Sequence, residues 1–227
     1  MNKKDMRNEI ETQRRMNSER GYSIVEMVIV TLTIFIVSAM AVLQLQPAWQ
    51  QIQANAGMAQ VKATLRQARE TAISQRRTIV VQFMNAAVAT PCPPSGNTIN
   101  CIALTQEVVT PGNPPTQAPA PNPFLIVPIE SNVGLLSFAG EPDTPDAFIG
   151  AAPAAPNGVY FGSTAGVPPS GLQFQSDGTF TNGTVNPVNL TVFLGEANIP
   201  TTARAVTILG NTGKVTGYAG TGLAWFR

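Results

Sequence analysis

The chain has 227 residues, 14 Lys/Arg against 13 Asp/Glu, two cysteines and no histidine. A net charge of +1 gives no global electrostatic case for nucleic acid, and the missing histidine removes the commonest general base and metal ligand. The length allows one or two domains, and about 150 residues beyond the N-terminal helix are enough to bury one core. Charge is unevenly placed: residues 1–21 hold six Lys/Arg and four Asp/Glu, the remainder eight and nine.

Residues 1–21 are polar and charged with no apolar stretch, which reads as a targeting leader rather than as fold. Met27 to Leu43 is almost unbroken Val, Ile, Leu, Met, Phe and Ala, and the span from Tyr22 to Leu45 is long enough for a helix to cross a ~30 Å hydrocarbon layer with some tilt. Glu26 lies at the edge of this segment, and no further charge follows until Lys62. An acid there costs a few kcal/mol unless it finds a partner. Its bland reading is a carboxylate that reaches back to water. The excess of basic residues before the helix directs the following chain away from the cytoplasm.

Beyond Pro47 the residues Ala54, Met58, Val61, Leu65, Ala68 and Ala72 recur at spacings of three and four, one stripe of an amphipathic helix. The helix is predicted over 22–77, with 22–45 transmembrane and 46–77 amphipathic, and with basic residues Arg76 and Arg77 at its C-terminal end. Pro47 and Gly57 interrupt it, and Pro47 is expected to kink it where it leaves the bilayer. Arg66, Arg69, Arg76 and Arg77 form a basic group near the helix end. A solvated helix face is the preferred reading, and contact with phosphates the alternative.

From Thr78 the period changes. Thr78–Phe83 is β-branched and predicts a strand. Residues 84–123 are rich in Pro, Asn, Thr and Gly, with strand material at Ile102–Val109. Cys92 and Cys101 lie in this stretch. Outside the cytoplasm they read as a disulfide worth roughly 2–3 kcal/mol, since their spacing does not fit Cys-x-x-Cys and no histidine completes a zinc site. Phe124–Ile129 predicts a further strand, and 141–156, with four prolines, a surface loop.

Leu172–Phe174, Thr179–Phe180, Asn189–Leu194, Ala205–Leu209 and Lys214–Tyr218 complete a hairpin-rich antiparallel sheet. The expected fold is α+β: a long N-terminal helix packed on an antiparallel β-sheet, with 78–227 as the β-rich globular domain. Gly210–Lys214 has the flavour of a phosphate loop but is too short, and Val215 stands where Ser or Thr should be, so it reads as a hairpin turn. Asp143 and Asp146 have no nucleophile nearby in sequence, and Ser163 and Ser170 lack a Gly-x-Ser-x-Gly setting. No catalytic residue, cofactor or metal site is expected.

Residues 20–45, with a basic flank, Gly21, the aromatic Tyr22, Glu26 and the apolar helix, resemble the leader of type IV pilins and of type II secretion pseudopilins. Tyr22 stands where that family usually carries Phe. Three looser features resemble the H-type (GspH/FimT) minor pseudopilins: Ala68–Ile73 leading to a Val-rich strand, Leu172–Gly178, and the Thr-Gly-Lys hairpin at 212–214. The resemblance implies a pilin-like fold and cleavage by a prepilin peptidase between Gly21 and Tyr22, with Met16 as an alternative start. It implies N-methylation of Tyr22 and pairing of Glu26 with the Tyr22 ammonium of a neighbouring subunit. It further implies a subunit of the inner membrane, its C-terminal domain periplasmic, whose partners are other pilins and an assembly platform. A DNA-capturing minor pilin is one alternative. A secreted binding protein is another, with ordinary signal-peptide cleavage after Ala39-Met40-Ala41. No small-molecule substrate is expected.

Overall fold

The structure, a computed structural model, describes residues 23–84, 100–110, 116–120, 122–129, 132–154, 158–165, 171–184, 186–221 and 223–227. For Leu43, residues 109–110 and residues 116–119 it describes the backbone alone. The chain divides into two compact units, Met1–Pro47 and Ala48–Arg227.

Helix α1 spans Ile24–Gln75. In the first unit it starts on Ser23, whose Oγ accepts from the Val25 amide (3.4 Å) while its carbonyl accepts from Met27 (3.1 Å). These bonds satisfy N-terminal amides that have no partner within the helix. Every described side chain from Ser23 to Trp49 is exposed, including Ile24, Met27, Ile34 and Phe35. The helix is long and apolar enough to cross a membrane.

In the second unit the stripe expected from spacing is buried. Ala54, Val61, Leu65, Ala68 and Ala72 are at most 1% exposed, and Met58 packs beside them. Gly57 lies where a Cβ would come within 3.2 Å of Val133, so its small size lets the segment around Val133 approach the helix. The helix stops at Gln75 rather than at Arg77. Arg76 turns to φ 50°, its amide bonding Ile73 O, and the Arg77 amide bonds Ala72 O. This is the double closure of a Schellman turn, built here without the usual glycine.

Among the described residues twelve strands follow: β1 (Ile79–Met84), β2 (Cys101–Thr110), β3 (Thr116–Pro119), β4 (Leu125–Pro128), β5 (Val159–Phe161), β6 (Thr164–Ala165), β7 (Leu172–Phe174), β8 (Phe180–Thr181), β9 (Leu190–Glu196), β10 (Ile199–Leu209), β11 (Lys214–Gly220) and β12 (Trp225–Phe226). They form two antiparallel sheets where the sequence suggested one. The first runs β3-β2-β1-β7-β8, with β4 also on β2; the second runs β12-β11-β10-β9-β5-β6. The separation arises because β1 pairs with β7, Ile79 opposite Phe174, and not with the C-terminal hairpins.

Alternation assigns the faces. Leu190, Val192, Leu194, Val206 and Ile208 join Val81, Ile102, Leu104, Leu172 and Phe174 and the helix stripe in one core. Phe193, Ala205 and Tyr218, on the opposite face of the second sheet, form a smaller cluster with Tyr160 and Ile149, and Trp225 packs against it. The stretch 134–150, whose part from Glu141 onward belongs to the expected surface loop 141–156, covers that face. It joins β9 through paired backbone bonds between Gly134 and Gly195, and Phe138 lies against Gly195. The chain is therefore α+β, with the long helix α1 over two antiparallel sheets among the described residues.

Candidate functional site

Two regions hold the side chains singled out in the sequence. The first is the N-terminal half of α1. Its start on Ser23 puts Glu26 in the first turn, where the positive end of the helix dipole favours a carboxylate. Ser23-Ile24-Val25-Glu26 also has the Ser-x-x-Glu spacing of a capping box. Downstream, the hydroxyls return to the helix: Thr31 Oγ1 donates to Met27 O and Val28 O (both 2.9 Å), and Thr33 Oγ1 to Val30 O (2.8 Å). Returned in this way, they remove two polar groups from the outer surface. Gly21 and Tyr22 lie outside the described residues. Pro47 lies within α1 at the boundary between the two units.

The second region is the contact between α1 and the β10–β11 turn. Arg69 Nε donates to Thr212 O (3.0 Å) and Arg66 Nη2 to Val215 O (3.4 Å). Together with Glu70, Gly213 and Lys214 they line an open cleft of about 580 Å³. Three cations and one acid give it a positive character. Both guanidinium groups spend a donor on the hairpin's backbone, so their first role is to hold that turn on the helix. The other two arginines lie elsewhere. Arg76 forms the helix stop, and Arg77 hydrogen-bonds the Gln106 side-chain oxygen on β2 through Nε and Nη1 once that amide is turned to face it. The basic group seen in the sequence thus divides among three settings. The turn at Gly210–Lys214 closes as a hairpin, with the amides of Thr212 and Gly213 bonding Leu209 O (3.2 and 2.7 Å).

Cys101 is fully buried at the start of β2 and is not a free thiol; Cys92 lies outside the described residues. Asp143 organises a turn, with Oδ1 accepting from the Thr144 amide and Oδ2 from the amides of Ile149 (3.0 Å) and Gly150 (2.8 Å). Asp146 accepts from Thr207 Oγ1 at 2.6 Å and from the Tyr218 hydroxyl, which burial and this carboxylate push above the usual phenol range. Ser163 is exposed in a turn, and Ser170 lies outside the described residues. Among the described residues no group of three or more His, Cys, Asp or Glu could hold a metal ion.

Sequence reasoning missed two buried charged side chains. Arg204 on β10, 5% exposed, donates through Nε to Asn55 Oδ1 (2.7 Å) and through Nη1 to Ala203 O (2.7 Å), tying α1 to the second sheet. Burial lowers its pKa. Glu141, within the 134–150 stretch, is 1% exposed. Neither carries a sequence signal, because the burial of each is set by tertiary packing and not by local spacing.

No protein-family model and none of the curated proteins matches the chain. Among solved structures it is similar to the type IV minor pilin FimU of Pseudomonas aeruginosa, at TM-score 0.41 and 13% identity, over 76% of this chain and 97% of that one. A second crystal form of FimU gives TM-score 0.41 and 13% identity, over 81% and 96%. The minor pseudopilin EpsH of the Vibrio cholerae type 2 secretion system gives TM-score 0.41 and 14% identity, over 74% and 97%. These likenesses are distant, and the function proposed next stands on the residues themselves.

Proposed function

We propose that this chain is a filament subunit of the minor pilin or pseudopilin type, stored in the bacterial inner membrane and not an enzyme. The observation that carries the reading is the N-terminal half of α1: its apolar side chains are exposed and Glu26 is its one charged residue. Such a surface needs lipid before assembly and neighbouring helices after it. The leader-like pattern at Arg20–Glu26 supports processing between Gly21 and Tyr22 by a prepilin peptidase, followed by methylation of the new amino group.

In this reading residues 1–21 are removed, 22–45 cross the membrane, and Pro47 kinks the helix at the exit. The unit from 48 onward lies in the periplasm, with a bridge between Cys92 and Cys101. Glu26 accepts the Tyr22 ammonium of the adjacent subunit. A carboxylate left alone in apolar surroundings is costly, so an incoming subunit is held at the register that pairs it. The partners are the other filament subunits, the peptidase and the assembly platform.

Mass spectrometry of the mature N-terminus tests the processing. Methyl-Tyr22 is expected, whereas a chain beginning at Val42 means ordinary signal-peptide cleavage and sinks the proposal. For assembly, Glu26→Ala should leave the subunit in the membrane but abolish its incorporation into filaments, while Glu26→Gln separates capping from charge. Normal incorporation of both variants would remove Glu26 from the mechanism.

A further inference from the structure

The stretch 134–150 is a strap over the outer face of the second sheet, and its contacts differ in kind along its length. Gly134 anchors it to β9 by two backbone bonds. Asp143 and Asp146 fold its far end and pin it to Thr207, and Trp225 Nε1 donates to Pro142 O at 2.9 Å. Between these attachments sits Glu141. One of its oxygens accepts a single bond from the Phe138 amide (3.0 Å), and the other, Oε1, is buried with no hydrogen-bond partner.

The neighbouring polar atoms repeat the deficit. Among the described residues the other buried side-chain oxygens without a partner are Ser137 Oγ, on the strap, and Thr191 Oγ1. Thr191 alternates onto the same face of β9 as Phe193, the face that the strap covers. All three therefore belong to one layer, the junction between strap and sheet. Each such group weakens that junction by about 1–3 kcal/mol relative to a satisfied one.

The titratable and charged groups on the strap and on the sheet it meets are Asp143, Asp146, Tyr160, Glu196, Arg204, Lys214, Tyr218 and Arg227. None of them is a hydrogen-bond partner of Glu141. Burial pushes its carboxyl up to about 7, and the Phe138 amide offsets this only in part. The neutral acid costs less in this buried site than the ion does, although Oε1 lacks a partner. The carboxylate has one donor and no cation, so its ionisation favours a strap lifted into water.

We propose that the strap is a pH-gated cover, closed while Glu141 is protonated and opened by its ionisation, which uncovers the aromatic face formed by Tyr160, Phe193 and Tyr218. The sign follows from linkage. A carboxyl whose pKa is higher in the closed form than in the open form favours closure most below the open-form value. That advantage is lost as pH rises towards the closed-form value.

Hydrogen exchange of the full chain in detergent micelles, corrected for the intrinsic chemical rate, tests this directly. Protection of residues 136–150 should fall about ten-fold per pH unit between roughly pH 5 and 7 and level off above, while β10 and β11 hold theirs. Glu141→Gln should flatten the profile. A wild-type strap whose protection is constant across this range, or a Glu141→Gln strap that keeps the wild-type slope, overturns the proposal. Should Glu141→Gln fail to fold, a Trp49→Phe chain leaves Trp225 as the single indole, in contact with the strap through Pro142. Its emission should change with a midpoint near pH 7, and a flat titration between pH 5.5 and 8.5 would equally overturn the inference.

Discussion

At the scale of single residues, the contact between helix and hairpin depends on what is missing. Gly213 has φ 61°, and a Cβ there would strike Gly178 O and come within 2.8 Å of Arg69 Nε. Gly178, at φ 85°, backs onto the same guanidinium at 3.3 Å. Two turns thus close on one arginine, and neither leaves room for a side chain. Gly213→Ala should cost roughly 2–4 kcal/mol, combining left-handed strain with a clash against backbone. Gly150→Ala makes a matched control: its φ is 74°, but nothing lies within 4 Å of the added carbon, so only strain of about 1–2 kcal/mol is expected. Urea midpoints at unchanged slope would measure both. Equal losses would mean that packing against Arg69 contributes nothing.

At the scale of elements, α1 has two halves with different environments, and substitution should separate them. Leu65 is fully buried in the main core, so Leu65→Ala should destabilise the β unit by about 2–5 kcal/mol. Ile34 is 58% exposed, so Ile34→Ala should leave the unfolding of that unit unchanged while weakening retention in the membrane. Equal thermal shifts in the two variants would contradict this division. The stripe Ala54–Ala72 was legible because helical spacing is a local property of the chain. So were β1, β9 and β11, where β-branched runs alternate. The strands β3, β5, β6 and β12 span only two to four residues, too few for any period to show. The pairing of β1 with β7, which makes two sheets from one expected, is likewise set by tertiary contact. In the candidate site, Glu26 was visible because a lone acid stands out in an apolar run. Arg204 and Glu141 were not, because burial of a charge is decided by tertiary packing and not by local spacing. The helix stop was misplaced by two residues for a related reason: Arg76 occupies a position where glycine would have announced the turn.

At the scale of the whole molecule, the buried core begins at Ala54 and belongs entirely to the unit Ala48–Arg227. Among the described side chains, none before Ala48 is removed from solvent. Deleting residues 1–47 therefore takes away no core burial contributed by the described side chains. The remaining chain should be soluble without detergent and unfold in one cooperative transition, its midpoint within a few degrees of that of the full chain, since about 1 kcal/mol shifts the midpoint of a unit this size by roughly 2–4 °C. Its stability should also carry the signature of Glu141. Below pH 4.5 the carboxyl is protonated in both folded and unfolded chains and contributes no dependence. Between 4.5 and about 7 the unfolded chain releases the proton while the folded one retains it, so stability falls as pH rises. The loss approaches roughly 3 kcal/mol and is complete above neutrality. Melts of residues 48–227 at a series of pH values, compared with the same unit carrying Glu141→Gln, isolate this contribution from that of the other carboxylates. A difference between the two that stays constant from pH 4.5 to 8 would show that Glu141 titrates alike in the folded and unfolded chains.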